Sequence, residues 1–129
     1  MTREFIYTSP FRKSWEMMGL NDDDLKELEN ILLSNPQTES VIQGTGGARK
    51  MRIKLYGQGK SGGARVIYLD VYEKEKLYLI FAYPKNVQSD LTGEQKKAVK
   101  SIVELINKGV MIYVGNRISF FFVNGGNRG

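Results

Sequence analysis

Between Gln43 and Leu69 the sequence reads QGTGGARKMRIKLYGQGKSGGARVIYL, with six Lys or Arg residues and no Asp or Glu. In RKMRIKLYG (49–57) the charges alternate with apolar residues. Met51, Ile53 and Leu55 point one way along an extended chain, and Lys50, Arg52, Lys54 and Tyr56 the other. A second extended run, ARVIYLDVY, follows the GQGKSGG loop and brings Arg65 back toward Arg52 and Lys54. Side chains directly across an antiparallel pair lie about 5 Å apart, so the cations form a cluster in space. Such a cluster repels itself unless solvent screens it or an anion visits. A third run, LYLIFAYP, ends beside Lys85 and Asn86, which extends the same cationic edge. An alternating basic strand is also the pattern of a solvated sheet face, and both readings stand on the residues alone.

The chain has no histidine and no cysteine, which removes Ser-His and Cys-His nucleophilic sites, thiolate zinc sites and disulfides. What remains is cation chemistry on a polyanion. Lys and Arg neutralise phosphate, and Tyr56, Tyr68 and Tyr83 are near enough in sequence to stack on bases, the composition of an RNA-binding surface. RNA carries its own nucleophile in the 2′-hydroxyl. Metal-free cleavage then needs a base, charge stabilisation at phosphorus and an acid for the leaving 5′-oxygen. Lysine can take the proton-transfer role because neighbouring cations lower its pKa. Lys54, between Arg52 and Arg65, is the base candidate; Arg52 and Arg65, permanently charged, suit phosphate stabilisation. GTGG and GQGKSGG have the look of phosphate loops, but neither has Walker A spacing, and both read as turns.

The elements that position these residues are legible from pattern. EFIYT is a short strand. Ser9 is a candidate cap with Pro10 in the first turn, and Phe11, Trp15 and Met18 make one helical stripe ended by Gly19. NDDDLKELENILLSNP is a second helix, capped at Asn21 or Asp22, with acids favoured by the helix dipole and Leu25, Leu28, Ile31 and Leu32 facing inward. The three extended runs make an antiparallel meander. DLTGEQKKAVKSIVELIN is a third helix, with Thr92 and Gln95 at capping-box spacing. The expected fold is α+β: an antiparallel central sheet with two N-terminal helices and a C-terminal helix packed on one face, and the cations on the open face. At 129 residues this is one domain, read as 1–108, with 109–129 as an apolar extension holding a hairpin signal at Gly115-Asn116. The net charge is +5, while Glu16 to Asn30 carries six acids against one base; this asymmetry suits a polyanion or an acidic protein partner. No segment resembles a membrane span or a secretion signal, and the expectation is a cytoplasmic protein without a cofactor.

Taken together, VIQGTGGARKMR, GKSGGARVIY and YPKNVQSDLT resemble the RelE/HigB family of toxins from bacterial type II toxin–antitoxin modules, most of all its HigB branch. The resemblance runs from about Phe5 to Ile106. It implies a RelE/ParE-like fold and ribosome-dependent cleavage of mRNA. It implies partners as well: the ribosome and mRNA, a cognate antitoxin with a helix-turn-helix domain, and operator DNA reached only through the complex with that antitoxin. Residue by residue it matches Arg52, Lys54, Arg65 and the Lys85-Asn86 pair, which gives Arg52, Lys54, Arg65 and Lys85 as the catalytic set; Arg49, Lys50 and Lys60 of the basic cluster, with Asn86, are the RNA-docking candidates. Where RelE proteins have a second lysine, a Lys-Arg pair and a late tyrosine, this chain has Arg52, Lys85-Asn86 and Thr92. The alternatives are a ParE-like inhibitor of DNA gyrase, or a non-catalytic protein that binds antitoxin or RNA.

Overall fold

The computed structural model describes residues 2–37, 39–54 and 63–109, together with the backbone of 112–114 and 117–119. In chain order the elements are β1 (Glu4–Tyr7), α1 (Ser9–Met17), α2 (Asp22–Ser34), β2 (Arg49–Lys54), β3 (Gly63–Val71), β4 (Lys76–Pro84), α3 (Gly93–Asn107), β5 (Ile112–Val114) and β6 (Arg117–Ser119). The main sheet has the order β1-β4-β3-β2. β2, β3 and β4 form the antiparallel meander expected from three short-linked extended runs, while β1 adds to β4 in parallel. The sheet is therefore mixed, because the α1–α2 pair carries the chain across before β2 begins. β5 and β6 pair antiparallel in a sheet of their own, with Val114 opposite Arg117. No helix among the described residues is long and apolar enough to cross a membrane.

Helix boundaries follow capping chemistry. Thr8, not Ser9, caps α1: its Oγ1 accepts from the Phe11 amide at 3.2 Å while its own backbone is still extended. The sheet decides this, because the Thr8 amide donates to Leu79 O and keeps Thr8 outside the helix. Asn21 caps α2 in a reciprocal box with Asp24, and Thr92 caps α3 in the same manner with Gln95. The buried stripe of α2 is Leu25, Leu28 and Leu32; Ile31, expected there, is 38 % exposed.

Both faces of the sheet are covered, which corrects the expectation of an open face. Phe11, Trp15, Leu25, Leu28 and Leu32 of α1 and α2 pack on Met51, Ile53, Val66, Leu77 and Leu79. On the opposite face Val99, Val103 and Ile106 of α3 pack on Ile67, Leu69, Tyr78 and Ile80. Alternation along β2 places Lys50, Arg52 and Lys54 on the α3 side. The third helix thus shares the cationic face and leaves only its β2 end open.

β1 stops at Tyr7, and among the described residues the next stretch of the β4 edge has no strand partner. Helix α1 supplies one through side chains. Thr8 Oγ1 donates to Ile80 O at 2.9 Å, and Ser14 Oγ accepts from the Ala82 amide at 3.1 Å. Ile80 is the extra residue of a β-bulge, since Ile67 lies opposite Phe81 and Tyr68 opposite Leu79. Bulge and helix fit each other: the hydroxyls take the backbone groups that a straight ladder would have paired.

Candidate functional site

Strand register brings the cations together. Arg52 lies opposite Arg65, and Arg65 opposite Tyr83. One rung further, Lys54 lies opposite Gly63, and the Lys85 amide donates to Gly63 O at 3.0 Å. Lys54 and Lys85 therefore flank a residue without a side chain, with Arg52 and Arg65 on the adjacent rung. The lysine ammonium of Lys85 is pulled below its ordinary value, first by loss of hydration and then by Arg52, Arg65 and Lys54. Three cations from two strands thus act on a fourth in the turn after β4. Arg65 Nε is buried and has no hydrogen-bond partner among the described residues.

Gly63 is fixed by space and not by dihedral freedom. A Cβ there would overlap the carbonyl oxygen of Ile53 on the neighbouring strand. The close approach of β2 and β3 at this rung, and with it the gap between Lys54 and Lys85, depends on glycine.

The aromatic part of the sequence reading is corrected. Tyr68 and Tyr83 are 0 % and 3 % exposed and cannot stack on a base. Tyr68 faces α1 and α2 and donates to Pro36 O at 2.9 Å; burial pushes its hydroxyl up to about 12. Tyr83 lies beneath Arg65, and burial raises its hydroxyl while Arg65 opposes that rise. Both rings are packing, selected by the same β-propensity that made them look like a stacking platform.

The docking candidates separate. Alternation puts Arg49 on the face opposite Lys50 and Arg52, where its Nη1 donates to the carbonyls of Gln37 and Glu39. Its work is to hold the α2–β2 connection. Lys50 is on the cationic face, ion-paired to Asp90 at 2.8 Å. Asn86 is exposed in the turn beside Lys85. Lys60 and Tyr56 lie outside the described residues. The GTGG segment is a turn closed on itself, with Thr45 Oγ1 donating to Ile42 O and accepting from the Ala48 amide. Thr92, where the resemblance places a tyrosine in relatives, is occupied in capping α3.

Sequence reasoning missed Asp90, the carboxylate that reaches the basic face. Its partner Lys50 is forty residues away along the chain, and no local pattern announces such a pair. It also missed Gly63, since the clash that requires glycine involves the neighbouring strand.

A family model described as the RelE toxin of the RelE/RelB toxin–antitoxin system matches residues 6–110. Among solved structures, a double arginine-to-alanine mutant of the E. coli toxin RelE in the free state matches with a TM-score of 0.52 at 19 % identity, over 77 % of this chain and 99 % of that one. At that identity the likeness speaks to the fold.

Proposed function

Because this chain belongs to the RelE toxin family of toxin–antitoxin systems, we propose that it arrests growth by cutting mRNA on the ribosome, without a metal, through attack of the RNA 2′-hydroxyl. As a toxin of such a module it has an antitoxin for a partner. We take that antitoxin to carry a helix-turn-helix domain, so that operator DNA is met only by the toxin–antitoxin complex. Asn86 and Thr92 favour the HigB branch.

What supports the cleavage reading is the placement of Lys54 and Lys85 on either side of Gly63, beside the Arg52–Arg65 pair. In-line displacement at phosphorus has its attacking and leaving oxygens on opposite sides, so two proton-transfer groups astride one gap suit it. Arg52 and Arg65 hold the non-bridging oxygens and offset the charge that builds there. Lys54 takes the 2′-hydroxyl proton as the new P–O bond forms. Lys85, whose proton is made easier to release by lost hydration and then by the neighbouring cations, delivers one to the departing 5′-oxygen. The products are a 2′,3′-cyclic phosphate and a free 5′-hydroxyl. Asn86 and Lys50 contact the flanking backbone.

Induced expression with primer extension on cellular mRNA tests this. Discrete cuts within codons are expected, with growth arrest relieved by Lys54→Ala or Arg65→Ala. Loss of one such group lowers cleavage by about 100-fold or more. Full toxicity in both variants would remove these residues from the site. Intact mRNA accompanied by a DNA-damage response would replace RNA cleavage with gyrase inhibition.

A further inference from the structure

The cationic face continues past Arg52. Lys50 is the next residue on that side of β2, and its Nζ donates to Asp90 Oδ1 at 2.8 Å. The Asp90 carboxyl is held below its ordinary range by Lys50 foremost, with Arg65 and Lys96 adding to the effect. One carboxylate thus stands among cations from β2, β3 and α3. Its side chain is 73 % exposed, against 28 % for Lys50. The lysine is the pinned partner and the carboxylate the free one. Lys96 runs along the GTGG turn, where a Cβ on Gly44 would meet its Cδ at 3.6 Å. Lys100, one turn further along α3, is exposed.

Lys54, Arg52 and Lys50 repeat at roughly 7 Å along the strand, and Lys96 and Lys100 at roughly 5–6 Å along the helix. These intervals are comparable with the separation of successive phosphates in a nucleic-acid strand. Along β2 the cations run in file away from Gly63, from Lys54 through Arg52 to Lys50, and Asp90 links the Lys50 end to Lys96. We propose that Lys50, Lys96 and Lys100 bind the backbone of single-stranded RNA flanking the scissile phosphate, and that Asp90 is the counter-ion an RNA phosphate displaces. The proposal rests on the RNA-cleaving reading and extends its contact surface onto α3. Displacing an exposed carboxylate costs little desolvation, and the incoming phosphate restores the charge balance around Lys50.

The test is binding of a short labelled single-stranded RNA to the purified full chain across a salt series. Each backbone phosphate contact on a single strand contributes about 0.7 to the slope of log affinity against log salt. The double variant Lys96→Ala/Lys100→Ala is expected to bind about tenfold more weakly at low salt, with a slope smaller by about 1.4. Asp90→Asn is expected to bind more tightly, a direction that damage to the fold would not produce. Lys26→Ala, on the outer side of α2, is the control and leaves binding as it was. Unchanged affinity and slope in the double variant, or weaker binding by Asp90→Asn, would overturn the proposal. So would an equal loss of binding to poly-glutamate, which would make the track a general cationic surface. Ribosomal cleavage by the wild type, read in parallel, separates the two claims. Cleavage with RNA affinity untouched in the double variant removes only the α3 track. Absent cleavage with the double variant's affinity lowered removes only the nuclease.

Discussion

Lys85 stands in the turn after β4 with its ammonium opposed by Arg52, Arg65 and Lys54. Holding four like charges at one edge works against folding, and it adds to the lost hydration that lowers the Lys85 pKa. Between its folded value and the ordinary lysine value of 10.5, the unfolded chain binds more proton than the folded one. Through Lys85, stability therefore rises with pH across that window and levels off above it, whereas the raised hydroxyls of Tyr68 and Tyr83 lower it where tyrosine ionises. The expected outcome is a contribution of Lys85 to the melting temperature that climbs as pH is raised toward 10.5. In Lys85→Gln the climb is lost, melting at neutral pH is higher than in the wild type, and RNA cleavage falls. Thermal melts across a pH series check the first two outcomes and a ribosomal cleavage assay the third. A variant that is both more stable and less active would identify the cluster as held for function at a cost in stability.

At the scale of elements, the site depends on how tightly β3 sits between its neighbours. Gly63→Ala would drive a methyl into the Ile53 carbonyl and force β2 and β3 apart at the rung that carries Lys54. The expected cost is about 1–3 kcal/mol in urea denaturation, with cleavage reduced beyond what lost stability explains, since Lys54 and Lys85 lose their shared gap. On the far side of the sheet, Ser14→Ala would leave the Ala82 amide without its acceptor, at about 1–3 kcal/mol by the same measurement, with the site undisturbed. These two cases mark what the sequence could express. The alternation in RKMRIK and the Thr92/Gln95 and Asn21/Asp24 spacings are local, and local chemistry reads directly from residue order. Thr8 took the cap from Ser9, α3 took part of the cationic face, and Gly63 became obligatory through contacts with β4, β3 and β2. None of those partners is a neighbour in sequence, so their effects were not visible there. Tyr68 and Tyr83 show the same division: composition identified strand residues, and only the sheet's covering helices determined that both rings are inside.

The whole molecule is tied across its mixed sheet by Arg3 and Asp70. Arg3 Nε and Nη2 donate to the two Asp70 oxygens at 2.6 and 3.0 Å, and the side chains are 3 % and 1 % exposed. The pair spans from the start of β1 to the end of β3 with β4 between them. It thus fixes the parallel strand, whose crossover through α1 and α2 closes the longest loop before the sheet. Gln37 Nε2 adds a third donor to Asp70 at 2.9 Å, while Arg49 holds the Gln37 and Glu39 carbonyls. The clamp therefore reaches the connection that sets where β2 begins, and through β2 the position of Arg52 and Lys54. A buried pair with this geometry is costly to break and of little net worth to keep, because each charge is desolvated whether or not its partner remains. Asp70→Ala should lose about 1–3 kcal/mol by leaving Arg3 without its carboxylate, with the Thr2 carbonyl and the Tyr72 ring as its remaining partners. Replacing both ends, Arg3→Met with Asp70→Leu, should recover most of that loss. Urea denaturation of the two variants beside the wild type distinguishes the cases: equal destabilisation in both would mean that the pair itself carries the sheet. If the double replacement regains stability yet cleaves mRNA poorly at temperatures where it is folded, then the clamp's contribution is the placement of β2, transmitted through Gln37 and the loop that Arg49 holds.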